Sequence, residues 1–140
     1  MQKINHSVII KTLPQDVPRR YELTAAKILA DHFRTDVVFL RPTPMKSPDL
    51  EISGKIWELK SPIGNSKNTM HNNFKEARRK TKNIVIDLRR CKMNEVNALA
   101  RIRTEIKKRK HRHGEILVIN KRGKVLDLSG SFRYNCSNRY

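Results

Sequence analysis

The segment PDLEISGKIWELK, residues 48–60, holds three side chains whose types and spacing could do chemistry: Asp49, Glu58 and Lys60. It reads as two short strands joined at Ser53 and Gly54, a pair suited to a two-residue hairpin turn. That turn sets a register in which Ile52 faces Lys55, Glu51 faces Ile56, Leu50 faces Trp57 and Asp49 faces Glu58. Side chains directly opposite each other have Cβ atoms roughly 5 Å apart, a separation at which like charges destabilise the pair. Two carboxylates so placed share a proton, are offset by a cation, or bind a metal, and hard oxygen ligands suit magnesium or manganese. Lys60 lies two residues beyond Glu58 on the same face, where it can contact a phosphate or orient an attacking water. This is the layout of metal-assisted phosphodiester hydrolysis. Alternation leaves Leu50, Ile52, Trp57 and Leu59 on the opposite face, so the expectation is one face for the core and the other for chemistry. The plainer alternative is an exposed sheet face on which Lys60 makes a salt bridge with Glu58 or Asp49.

The elements that must position these residues follow from periodicity. DVPRRYELTAAKILADHF, residues 16–33, reads as a helix that Pro18 can open, with Ala26, Leu29 and Phe33 on one face. Glu22 extends that stripe and brings a carboxylate toward the core side; as a first-turn acid it equally complements the helix dipole. DVVFL, residues 36–40, is a strand ahead of the hairpin. After a polar loop come a short helix over residues 72–83 with Phe74, Ala77 and Thr81 inward, a β-branched strand over 83–88, and a third helix over 94–111 with Val96, Leu99, Ala100 and Ile106 on one side. Asn73 and Glu76 have capping-box spacing at the start of the second helix. EILVIN and VLDLS form a closing hairpin about KRGK. The order is α-β-β-β-α-β followed by α-β-β, which implies a single mixed sheet flanked by helices in one domain over residues 1–140, with 1–15 and 130–140 irregular.

Charge points to the partner. Lysine and arginine number 31 against 13 acids, a net charge of +18, and 37% hydrophobic content supports a folded chain. A polyanion relieves the self-repulsion of such a body, so nucleic acid is the expected partner, ahead of an anionic lipid surface or mere solubility. Val8, Ile9 and Ile10 are the only continuous apolar run near the N-terminus, too short for a signal-peptide core or a membrane span, so no address and no membrane association are expected. Cys91 and Cys136 lack partners at metal-ligand spacing, and a reduced pair is the default. Asn65, Ser66 and Lys67 follow Lys60 closely enough to hold a phosphate, with Arg78 and Arg79 reaching the backbone. His71 is a further phosphate contact, while His111 and His113 belong to a basic surface. That surface includes Lys107, Lys108, Arg109, Lys110 and Arg112, and its charge suits salt-dependent tracking of phosphates. Asp87 points away from Ile84, Ile86 and Leu88 and reads as an exposed-face acid that could support the site.

Pro48-Asp49, eight further residues and Glu58-Leu59-Lys60, on the second and third strands of α-β-β-β-α-β, resemble the PD-(D/E)xK nuclease superfamily and its restriction-endonuclease-like core. WELKSPIGNSKNTMHNNFKEA with KNIVIDLRR is similar to the C-terminal toxin domains of contact-dependent growth inhibition proteins, the CdiA-like tRNase group, over roughly residues 20–128. This resemblance implies a metal-dependent endoribonuclease toxin that cuts tRNA. Asp49, Glu58 and Glu22 would then be metal ligands and Lys60 the catalytic lysine. It also implies a divalent cofactor, magnesium or manganese with zinc as the alternative, a cognate immunity protein as partner, and action in the cytoplasm after delivery as the end of a secreted toxin. Two competing readings are a DNA endonuclease of the same superfamily, because metal-activated water needs no 2′-OH, and a non-catalytic basic nucleic-acid-binding protein.

Overall fold

The computed structural model describes residues 6–12, 14–42, 49–109 and 114–129. Seven strands, β1 (Val8–Ile10), β2 (Val37–Phe39), β3 (Leu50–Ile52), β4 (Lys55–Lys60), β5 (Ile84–Asp87), β6 (Ile116–Ile119) and β7 (Val125–Asp127), lie in one mixed sheet in chain order. Three helices, α1 (Arg20–Phe33), α2 (Thr69–Arg78) and α3 (Glu95–Lys108), connect them. Parallel neighbours need a crossover, and each parallel pair has one: α1 between β1 and β2, α2 between β4 and β5, α3 between β5 and β6. The remaining pairs are antiparallel.

The expected element order holds, with one addition. Residues 1–15 were expected to be irregular, yet Val8–Ile10 pairs in parallel with β2 through Val8 and Val37. Its partner lies far along the chain, so no local pattern marks it. Pro14–Asp16 forms a 3-10 turn and α1 begins at Arg20, later than periodicity implied. The second helix begins earlier than expected, at Thr69, so Asn73 is interior and its amide donates to the Thr69 carbonyl at 2.8 Å instead of capping. Residues 130–140 lie outside the described residues.

Helices cover both faces of the sheet. Ala25, Ala26, Leu29 and Ala30 of α1 pack with Val37, Phe39, Leu50, Ile52, Trp57, Leu59, Val85 and Leu117. On the other face, Met70, Phe74 and Ala77 of α2 and Ala98, Ile102 and Ile106 of α3 pack with Ile84, Ile86, Ile116 and Val118. This explains why IVID and ILVI are apolar on alternate and intervening positions alike: strands covered on both sides read as continuous hydrophobic runs. In α3 the buried face is Ala98, Ile102, Glu105 and Ile106, whereas Val96 is 74% exposed. Leu99 and Ile106 of the expected stripe do pack against the core, but Val96 and Ala100 face outward, because α3 packs through the side that carries Ala98, Ile102 and Glu105.

The hairpin register matches expectation: Leu50 opposes Trp57, Glu51 opposes Ile56 and Ile52 opposes Lys55. Ser53 and Gly54 both have positive φ, 50° and 80°. A left-handed conformation costs a β-carbon-bearing residue roughly 1–2 kcal/mol, and asparagine tolerates it better than serine. Ser53→Asn is therefore expected to stabilise the protein by about 0.5 kcal/mol and raise Tm by about 2 °C in a thermal melt; a fall in Tm would contradict this turn assignment.

Candidate active site

Strand alternation determines where the chemistry lies. Trp57 and Leu59 of β4 point toward α1, so Glu58 and Lys60 point toward the face that α2 covers. The expectation of one open, chemical face is corrected: α2 lies over it, and Glu58 is only 1% exposed. The two carboxylates do come together. Asp49, immediately before β3, accepts the Leu59 amide through Oδ2 at 3.3 Å, and its charge acts on Glu58. Glu58 Oε2 meets Lys80 Nζ at 3.0 Å and Lys60 Nζ at 3.6 Å. Glu58 Oε1 is buried with no hydrogen-bond partner.

Burial first, then the neighbouring Asp49 charge, pushes Glu58 up to about 7 against the opposing pull of Lys80, and a hydrogen bond between the Glu58 and Asp49 carboxyls adds to the rise. Desolvation works against a charged Lys80, yet its hydrogen bond to Glu58 and the charges of Glu58, Asp49 and Glu76 hold it above its ordinary value. Lys60 Nζ also meets Glu76 Oε1 of α2 at 2.9 Å. That hydrogen bond and the Lys60 charge lower Glu76, which is otherwise well exposed. The site is thus a chain of alternating charges, Glu76, Lys60, Glu58 and Lys80, with Asp49 at its side. Sequence reasoning missed Glu76 and Lys80 as site residues. Their contacts arise because α2 runs back over β4, and neither residue shares a strand face or spacing with Asp49 and Glu58.

Glu22 is not brought to this group. It sits in the first turn of α1, on the opposite face of the sheet, and its Oε1 accepts the Arg19 amide at 2.9 Å. Among the described residues, no three of histidine, cysteine, aspartate and glutamate are grouped to hold a metal ion. The donors that fit one are the Asp49 and Glu58 oxygens: a buried carboxylate oxygen without a donor, beside a second carboxylate, is an unmet demand that a hard cation satisfies.

The proposed nucleic-acid contacts spread over several places. Ser66 donates its amide to Thr69 Oγ1 at 3.2 Å, while Asn65 and Lys67 line a cleft against α3. Arg79 lines a cleft of about 410 Å³ with Asn72, Lys75, Glu76 and Lys80, and Lys80 links that cleft to Glu58. Arg78 lies in the last turn of α2. His71 Nδ1 and Arg109 Nε both meet Glu105 Oε1, at 3.1 and 3.2 Å, so Arg109 is turned back onto its own helix and not extended into the basic end of α3. Lys107 and Lys108 occupy the last turn of α3. Pro48, Lys110, His111, Arg112, His113 and Cys136 lie outside the described residues. Asp87 is fully buried and not an exposed acid: Arg89 grips it through Nε and Nη2 at 3.0 and 2.7 Å and also donates to the Tyr21 carbonyl.

A basic α/β domain with a cation-rimmed carboxylate pair, Glu58 buried and Asp49 half-buried, is the class that fold and site define. The chain matches the contact-dependent growth inhibition CdiA C-terminal domain over residues 46–125, and it belongs to that family. As a member it is a toxin domain of contact-dependent growth inhibition. In fold it is similar to a chain of the CdiA-CT/CdiI toxin and immunity complex from Burkholderia pseudomallei, with a TM-score of 0.61 and 21% identity over 86% of this chain and 97% of that one. Comparison with curated proteins gave no match. Among the described residues, no helix is long and apolar enough to cross a membrane.

Proposed function

We propose that the domain is a metal-dependent endoribonuclease of the PD-(D/E)xK type whose substrate is tRNA. The observation that carries this reading is Glu58 Oε1, buried and without a partner, with the Asp49 carboxylate beside it and the Lys60 ammonium on the same face. Without metal the two carboxyls can share a proton, and a hard cation in its place satisfies both. Asp49 and Glu58 would hold a magnesium or manganese ion, which when bound polarises a phosphate and acidifies its water. Glu22 is left out of this proposal, because its Oε1 accepts the Arg19 amide at the start of α1 and no group of three acids forms among the described residues. Lys60, held from α2 by Glu76, presents its ammonium next to Glu58, where it can contact the scissile phosphate and orient the attacking water. Lys80 keeps Glu58 compensated between turnovers and adds a cation for the strand entering the cleft beside α2. The net charge of +18 supports a polyanionic substrate and salt-dependent binding. Family membership supports a growth-inhibiting toxin, and RNA cleavage in the cytoplasm is what the resemblance to the CdiA-like tRNase group implies for it. The similar solved toxin, bound to its immunity protein, supports a cognate immunity protein here too.

Total RNA and supercoiled plasmid, each incubated with the protein and magnesium, test the reading. Cut tRNA beside intact plasmid is expected; intact tRNA beside nicked plasmid would replace it with DNA cleavage. Asp49→Ala should abolish cutting, whereas a pure nucleic-acid binder would never cut and would bind at least as well after losing an acid.

A further inference from the structure

A second cleft lies on the far side of α2's start, between the loop leaving β4 and α3. It has a volume of about 290 Å³ and is lined by Asn65, Lys67, Met93, Asn97, Ala100 and Arg101. The loop is pinned along its length. The Lys92 amide donates to the Ile63 carbonyl at 3.0 Å, and the Cys91 thiol donates to the Gly64 carbonyl at 3.4 Å. A β-carbon at Gly64 would come within 2.7 Å of Thr69 Oγ1, so only glycine lets the loop pass so close to α2. The Ser66 amide then bonds to that same Thr69 oxygen. These contacts hold Asn65 and Lys67 opposite Asn97 and Arg101 of α3.

What the cleft offers is specific. Among the described residues, the side chains of Asn65, Lys67, Asn97 and Arg101 all lack hydrogen-bond and ion-pair partners. Two of them are cations and two are amides, and buried Met93 with Ala100 supplies an apolar wall. A bare phosphate would use donors only and leave both amide oxygens idle, whereas the edge of a nucleobase presents donors and acceptors together. The polarisable methionine sulfur makes favourable contacts with a flat ring. The volume falls near the lower end of small-ligand clefts, roughly 300–1,000 Å³, which fits one nucleotide and excludes a duplex.

We infer that this cleft takes a single unstacked nucleotide of an RNA chain, its base read by Asn65 and Asn97 against Met93 and its phosphate held by Lys67 and Arg101. Sequence-specific RNA recognition works on such splayed bases. The inference rests on the proposed RNA cleavage for its biological role. The loop that lines the cleft leaves β4 directly after Lys60, so a nucleotide held there would be tied through one short segment to the strand that carries Glu58 and Lys60.

The test is a titration of methyl-labelled full-length protein, without metal, with AMP, GMP, CMP, UMP and inorganic phosphate, read at the Met93 methyl. The Met70 methyl in the core serves as the internal control. One base is expected to bind about tenfold more tightly than the least favoured, and more tightly than phosphate. The double variant Asn65→Ala with Asn97→Ala should level that preference and keep phosphate binding, whereas Lys67→Ala with Arg101→Ala should weaken every ligand. All four lie at the exposed surface, so these variants keep the fold. An unmoved Met93 methyl, or equal affinity for all four nucleotides and phosphate, would overturn the inference. The titration needs no turnover, so its result separates from that of the cleavage assay. A base-selective Met93 response in a protein that cuts no RNA would sink the nuclease reading and leave the nucleotide site standing. Normal cutting with a silent Met93 would do the reverse.

Discussion

Replacing Glu58 with glutamine is expected to abolish RNA cleavage and, in metal-free protein at pH 8, to stabilise the fold. The two effects have one cause. Glu58 titrates at about 7 in the folded protein against 4.5 for the free side chain, so the folded state holds a proton that the unfolded state has already released. The stability tied to that proton is fully present below about pH 4.5 and is lost as pH rises through about 7. A difference of this size corresponds to something on the order of 3 kcal/mol for the isolated group. Glutamine is neutral throughout, and its amide can donate toward Asp49 while its oxygen still accepts from Lys80. The variant should therefore melt higher than wild type at pH 8, by several degrees, and the gap should close on going to pH 5. Thermal melts at both values check this. A variant less stable than wild type at pH 8 would show that Glu58 is a structural acid and not a poised ligand.

The second large effect comes from another buried acid, Asp87. Arg89→Met is expected to destabilise the protein by about 3–5 kcal/mol, because it leaves Asp87 fully buried without its guanidinium. Methionine keeps the length and apolar stem, so the loss reports the charge more than a cavity. Adding Asp87→Asn to that variant should recover part of the stability, since no unpaired charge then remains. Chemical denaturation of the single and double variants measures the difference, and a double variant that is no more stable than Arg89→Met would contradict it. The contrast between the two acids is informative. Asp87 accepts from the Arg89 amide and guanidinium at 2.7–3.2 Å and is fully satisfied, as a structural acid should be. Glu58 keeps one oxygen bare.

The hairpin and its register were legible because they are local: a period of two and a Ser-Gly turn determine which residues oppose each other. The central strands and the three helices were legible for the same reason. Which face each helix would cover was not. The sequence shows that Glu22 and Glu58 each lie on a stripe, but only packing places α1 on one side of the sheet and α2 on the other, which separates them. The same packing buries Glu58, brings Glu76 to Lys60 and Lys80 to Glu58, and turns α3 so that Val96 faces outward and Glu105 inward. Asp87 reads as an exposed acid from alternation alone, because alternation cannot reveal that Arg89, two residues on, folds back over it beneath α1.

Asp49 and Glu58 must form one cation site for this chemistry to run. Calorimetric titration of manganese into wild type and into Asp49→Ala at pH 8 tests this most directly. Wild type is expected to bind one ion at the pair, and the variant should lose on the order of 100-fold or more in affinity, the scale seen even for outer-sphere partners of metal ligands. Equal manganese binding by the two proteins would contradict it.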